Sequence, residues 1–137
     1  MSARPATLLA FDYGMKKIGV AVGQTLIDTA TPLGIVKVKQ AVPDWRAIGH
    51  LIETWQPDAL IVGLPVHMDG TEQPMTGAAR KFIKQLKNRF QLPVHATDER
   101  LSSNEAKDRL AQAGKQHNDD DPVAAQVILE GWLATNP

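Results

Sequence analysis

The chain contains no cysteine. Disulfide bonds and thiolate metal sites are therefore excluded. Its four histidines are scattered and do not show the spacing of a zinc motif. Any metal ion that binds here must be held mainly by oxygen atoms.

The chain also lacks a long apolar run and an excess of charge. No segment is long enough to span a bilayer, and residues 1–6 lead straight into a short strand rather than into a signal peptide. We therefore expect a cytoplasmic protein that does not enter a membrane. Fifteen basic residues balance fifteen acidic ones, whereas tight non-specific nucleic-acid binders are basic overall. Contact with a nucleic acid must then be local or transient.

The 137 residues, 43% of them hydrophobic, predict one domain over 1–137. Hydrophobic periodicity predicts strands at 7–12, 18–23, 33–39, 59–63 and 93–97, and helices at 45–56, 76–90, 103–113 and from 121 onward. This order predicts an α/β fold with a mixed five-stranded sheet and helices on both faces. Strands 1–3 should be antiparallel, and strands 1, 4 and 5 should be parallel because helices connect them.

Three carboxylates fall where such a fold collects ligands. Asp12 ends the first strand, Glu99 follows the fifth, and Asp121 precedes Pro122 at the start of the last helix. Oxygen ligands of this kind suit Mg²⁺ or Mn²⁺, and two such ions can promote phosphodiester hydrolysis. Each acid also has a structural alternative: Asp12 as an acceptor for turn amides, Glu99 as part of a solvated corner, and Asp121 as a helix N-cap.

Basic residues near these acids are candidates for substrate binding. The first turn supplies Gly14, Lys16 and Lys17, and we expect Gly14 to provide a positive φ there. The remaining candidates are Arg100 and a basic helical face formed by Arg80, Lys84 and Lys87. That face could equally be the solvated side of a helix.

Five ordered segments resemble the YqgF/RuvX family over almost the whole chain: residues 8–23, 61–65, 69–73, 98–103 and 121–130. The resemblance implies an RNase H-like fold similar to that of RuvC Holliday junction resolvases. It also implies a nuclease, described either as a junction resolvase or as an enzyme that matures the 5′ end of pre-16S ribosomal RNA. The family's acidic positions fall on Asp12, Glu99 and Asp121. RuvC-type resolvases place an acid after the fourth strand, where this chain has Gly63-Leu64-Pro65.

The leading hypothesis is a Mg²⁺- or Mn²⁺-dependent nuclease that acts on structured RNA in the 5′-end processing of pre-16S ribosomal RNA. One alternative is a Holliday junction resolvase that acts on DNA, which would need a dimer to present two sites. Another is a non-catalytic RNA-binding factor in ribosome assembly or transcription. We expect a monomer or a weak homodimer. An actin- or Hsp70-like ATPase is disfavoured because the chain is too short for a second lobe and has no Walker-type loop.

Overall fold

The structure is a computed structural model that describes residues 6–25, 30–64, 74–98 and 120–135. Its elements in chain order are β1 (Thr7–Asp12), β2 (Lys17–Gln24), β3 (Ala30–Lys39), β4 (Val42–Pro43), α1 (Trp45–Trp55), β5 (Ala59–Leu64), α2 (Pro74–Phe90), β6 (Val94–Asp98) and α3 (Asp120–Thr135). The predicted helix at 103–113 lies outside the described residues. No helix within the described ranges combines the length and the apolar character needed to cross a bilayer.

The sheet has the order β4-β3-β2-β1-β5-β6. Neighbouring strands from β1 to β4 are antiparallel, whereas β1 pairs in parallel with β5, and β5 with β6. The predicted mixed sheet is therefore confirmed, and β5 lies between β1 and β6. The carboxyl ends of these three parallel strands meet at one edge of the sheet, which we call the carboxyl edge.

The prediction of five strands was wrong by one, because β4 adds a short sixth strand. The chain turns back between β3 and β4 through Gln40 and Ala41, with φ values of 51° and 64°. Turns in which both central residues have positive φ are recognised in a sequence by Asn, Asp and Gly. Gln-Ala carries no such signal, and the Pro43 that follows further disfavours a strand.

The strands alternate between two apolar layers. Leu9 and Phe11 of β1 point into the larger core, where α1 and α2 pack, while Leu8 and Ala10 point into a second core beneath α3. Phe82 of α2 lies at the centre of an aromatic group in the larger core; its ring centroid is 5.7 Å from Phe11, 5.0 Å from Tyr13 and 5.7 Å from Trp45. The face of the sheet beneath α3, which we call the α3 face, is the one that matters for the site.

The second half of α3 is held at the edge opposite to the carboxyl edge. Glu130 Oε2 accepts a hydrogen bond from the buried amide of Ala30 at 2.9 Å. A Cβ atom placed on Gly23 would lie only 3.0 Å from Leu129 Cδ2, so a glycine allows the helix to approach the sheet closely. The helix begins at Asp120, two residues before Pro122, the predicted first helical residue. Asp121 therefore lies inside the first turn, and the alternative that it is the N-cap was wrong; Pro122 also lies in this turn, where proline is tolerated.

Candidate active site

Asp12 is the last residue of β1 and is half-buried at the carboxyl edge. Its register partners are Gly19 on β2 and Gly63 on β5. Neither neighbouring strand therefore contributes a side chain beside the Asp12 carboxylate. Both glycines are buried, so backbone, and not a side chain of the neighbouring strands, flanks the Asp12 carboxylate.

The direction of the Asp12 side chain follows from the alternation along β1. Leu8 and Ala10 have the same parity as Asp12 and belong to the core beneath α3. Because successive side chains of a strand point to opposite faces, Asp12 projects from the α3 face. Asp12, Gly63 on β5 and Thr97 on β6 are register partners and form one row across the parallel strands, which we call the Asp12 row.

The other two predicted acids fall at the limits of the described residues. Glu99 comes directly after β6 and lies outside them, as does Arg100. The backbone of Asp121 lies in the first turn of α3, but its side chain is not among those described. In the described part of the chain, no group of three or more acidic or histidine side chains could hold a metal ion. Of the three acids, the structure thus describes the surroundings of Asp12 alone.

We expected Gly14 to provide a positive φ, and this was wrong. The glycine is required instead because the backbone approaches it closely. A Cβ atom at this position would lie 2.5 Å from the carbonyl oxygen of Lys17, and the only glycine with positive φ in the described ranges is Gly34. The Lys16 carbonyl accepts a hydrogen bond from the amide of Val38 at 2.9 Å. This bond ties the turn to β3 and fixes Lys16 and Lys17 beyond the end of β1.

The basic face predicted on α2 does not converge with Asp12. Arg80, Lys84 and Lys87 are all exposed, but α2 packs through Phe82 and Leu86 against the larger core. They therefore lie on the opposite side of the sheet from the Asp12 side chain. Another cation of this helix has a structural contact, since Arg89 Cζ lies 4.2 Å from the ring centroid of Trp45.

Tyr13 follows Asp12 and points the other way, into the larger core. Burial raises the pKa of its phenol above the ordinary value. The side chain packs beneath the site, with its ring centroid 5.0 Å from that of Phe82.

Two features of this edge escaped the sequence analysis. The glycines beside Asp12, Gly19 and Gly63, become neighbours only when the strands pair. Lys37 and Lys39 of β3 are not among the predicted substrate-binding residues, although a Lys-Val-Lys pattern at a strand end does signal two cations on one face. Both lysines are exposed.

Comparison with known proteins agrees with this architecture. The sequence model of the RuvX family, described as Holliday junction resolvase, matches residues 6–135. A protein from Azotobacter vinelandii named "Putative pre-16S rRNA nuclease" is 48% identical over 97% of this chain and 96% of its own length. A protein of the same name from Coxiella burnetii is 51% identical over 91% of this chain and 90% of its own.

Solved structures with a similar fold are distant in sequence. Fowlpox virus resolvase, solved with Holliday junction DNA, has a TM-score of 0.60 at 15% identity, covering 95% of this chain and 98% of its own. Thermus thermophilus RuvC, solved with a Holliday junction substrate, has a TM-score of 0.55 at 15% identity, covering 96% and 95%. These similarities establish the RNase H-like fold of the resolvases for this chain.

Proposed function

The chain belongs to the RuvX family, and from this premise we propose that it is a metal-dependent nuclease that processes the 5′ end of pre-16S ribosomal RNA in the cytoplasm. The observation that carries the proposal is the row Gly19, Asp12, Gly63 at the carboxyl edge of the sheet. It places a half-buried carboxylate between two glycines at an edge where α/β folds bind ligands. The named relatives, about half identical in sequence, supply the substrate class.

The position of α3 supports a role for Asp121 beside Asp12. Leu129 packs on Gly23, which pairs with Leu8 at the far end of β1. From Leu129 back to Asp121 the helix rises about 12 Å, and from Leu8 to Asp12 the strand spans about 13 Å. If α3 runs antiparallel to β1 from Leu129, its first turn is level with Asp12.

Glu99 is proposed as the third acid. It follows Thr97 by two residues, and Thr97 lies in the Asp12 row. Two strand spacings separate β1 from β6, so the backbones at Asp12 and Thr97 are about 10 Å apart. Acids on both sides of such a gap can approach the same ligand.

This donor set fits Mg²⁺ or Mn²⁺, because all three groups are carboxylates. Asp12, Glu99 and Asp121 would hold the ion or ions, which would supply an activated water and stabilise the leaving oxygen. The chain's own contribution is the strand β1, which carries Asp12 at its carboxyl end. At the start of this strand, the Thr7 amide donates to the Asp58 carboxylate and the Thr7 carbonyl accepts from the Asp58 amide. The Ala6 amide likewise donates to the Thr25 hydroxyl, and the Ala6 carbonyl accepts from the Thr25 amide.

A second candidate function is cleavage of four-way DNA junctions, which the description of the matching family favours. Symmetric junction cleavage requires two sites, and hence a dimer. Pre-ribosomal RNA cleavage requires one. Oligomeric state and substrate preference therefore separate the two functions.

The test is cleavage of a pre-16S RNA fragment and of a four-way DNA junction side by side, with and without Mn²⁺. Asp12→Asn should lower kcat on the true substrate by on the order of 100-fold or more without unfolding the protein. Asp58→Asn is the matched control: it makes the same carboxylate-to-amide change at the opposite edge and keeps an oxygen acceptor for the Thr7 amide. Full RNA cleavage by Asp12→Asn would refute the catalytic role of Asp12. RNA binding without cleavage of either substrate by the unmodified protein would instead favour the non-catalytic RNA-binding role.

A further inference from the structure

His95 on β6 and Trp132 on α3 bring two aromatic rings into contact on the face of the sheet from which Asp12 projects. Val94 points into the larger core, and its neighbour His95 pairs with Ile61, a residue of the core beneath α3. Successive side chains of a strand alternate, so His95 projects from the α3 face. Trp132 packs against the same core. The two ring centroids are 5.4 Å apart, with 31° between the ring planes.

The two rings differ in how far they are exposed. Trp132 is half-buried against the aliphatic core beneath α3, whereas His95 is exposed on the last strand of the sheet. Trp132 therefore covers this core, and burial of apolar surface does not account for the imidazole that lies outside it. The indole instead supports His95 and restricts its rotamers, while the outer part of the imidazole remains in solvent. An exposed ring that is already held in place is suited to stacking, because little side-chain entropy is lost when a ligand binds.

The ring pair is also close enough to Asp12 for one substrate strand to reach both. His95 lies two residues before Thr97, which belongs to the Asp12 row. Two strand spacings and two residues along β6 place the Cα atoms of His95 and Asp12 about 12 Å apart. A stacked nucleic-acid strand advances about 3.4 Å for each nucleotide, so about four nucleotides cover this distance.

From this arrangement we propose that His95, supported by Trp132, is a stacking platform for one unpaired base of the nucleic-acid substrate on the β6 side of Asp12. The inference rests on the proposed nuclease function and adds where the strand lies beside the cleavage site. Unpaired bases stack on tryptophan and histidine rings, and such stacking tolerates any base because each has a π-face. The platform therefore selects a single-stranded segment rather than a particular sequence.

The test separates bases from phosphates with two single-stranded probes of equal length, each made as RNA and as DNA. One carries a pyrimidine base at every position, and the other has the same backbone with abasic residues. Fluorescence anisotropy gives the Kd of each labelled probe, and all variants are built in the Asp12→Asn background so that the probes stay intact. His95→Ala removes the exposed ring, and His95→Tyr restores one. His50→Ala is the matched control, because it removes an exposed histidine from α1, which packs on the other face of the sheet.

His95→Ala should bind the base-bearing probe about tenfold more weakly, since stacking of one base on an aromatic ring contributes a factor of this order. It should bind the abasic probe as its parent does. His95→Tyr should recover most of the loss, and His50→Ala should match the parent on both probes. The thermal midpoints should also match, because substitutions at exposed positions change stability little. In the protein with Asp12 intact, His95→Ala should act on KM rather than on kcat, since the ring contacts no reacting atom.

An equal loss of affinity for both probes would overturn the inference, because it would show a contact with phosphates rather than with a base. Unchanged binding by His95→Ala, the same loss in His50→Ala, no recovery in His95→Tyr, or a parent that binds neither probe would overturn it as well. The proposed function fails separately: an unmodified protein that binds bases through His95 but cleaves neither RNA nor junction would keep the platform and lose the nuclease.

Discussion

The hydrogen bond between Glu130 and Ala30 connects residues 100 positions apart and sets where α3 lies on the sheet. Glu130→Ala would leave the Ala30 amide without its acceptor, in a residue only 6% exposed. An unsatisfied buried donor costs about 1–3 kcal/mol, so we expect a loss of about 2 kcal/mol in the free energy of unfolding. For a chain of this length, that lowers the thermal midpoint by about 7 °C.

Glu130→Gln should fall between the wild type and Glu130→Ala. The amide oxygen can still accept from Ala30, but a bond to a neutral group is weaker than one to a charged group by about 1 kcal/mol. Glu130 also accepts from Gln126 Nε2 at 3.3 Å, and both variants lose the charge in that contact. The order of stability should therefore be wild type, Glu130→Gln, Glu130→Ala.

Urea unfolding measures these differences, and hydrogen exchange locates them. The Ala30 amide should exchange at least about tenfold faster in Glu130→Ala, since its protection depends on this bond. Glu53→Ala, at an exposed position of α1, is the matched control and should change stability by less than about 0.5 kcal/mol. If Glu130→Ala were no less stable than Glu53→Ala, the bond would not anchor α3, and the alignment of Asp121 with Asp12 would lose its support.

Three further changes test other parts of the structure. Gly14→Ala should lower the free energy of unfolding by about 1–3 kcal/mol and weaken substrate binding, because its Cβ would meet the Lys17 carbonyl at 2.5 Å; a thermal melt equal to that of the wild type would contradict the close approach. Ala41→Gly should instead raise stability by about 0.5–1 kcal/mol, since a φ of 64° strains alanine but not glycine, and urea unfolding would show a lower midpoint if this is wrong. The raised pKa of Tyr13 means that the unfolded chain loses the phenolic proton first as pH rises, so this contribution to stability is complete below about pH 10 and is lost above it. The free energy of unfolding of Tyr13→Phe should therefore fall less than that of the wild type between neutral and alkaline pH. If the two proteins lost stability in parallel with pH, Tyr13 would not contribute to this pH dependence.

Local pattern was enough to predict most elements of the fold. Each strand of the parallel set is a short apolar run between turn residues, and the helix after Pro43 carries apolar residues three or four apart and ends before Pro57. The order of these elements restricts how the strands can be connected, so the parallel arrangement of β1, β5 and β6 followed from chain order. The position of Asp12 at a strand end is likewise a property of the sequence.

What the sequence determined is thus the set of elements and the acid that ends the first of them, because hydrophobic periodicity and turn chemistry act over a few residues. Tertiary structure decided which residues became neighbours. Only strand pairing makes Gly19 and Gly63 the flanks of Asp12, and only the hairpin register brings Lys17 beside Lys37. Packing likewise put the basic face of α2 on the side of the sheet away from the Asp12 carboxylate. These relations depend on contacts between distant parts of the chain. The free energies of such contacts cannot be derived from any short segment of the sequence.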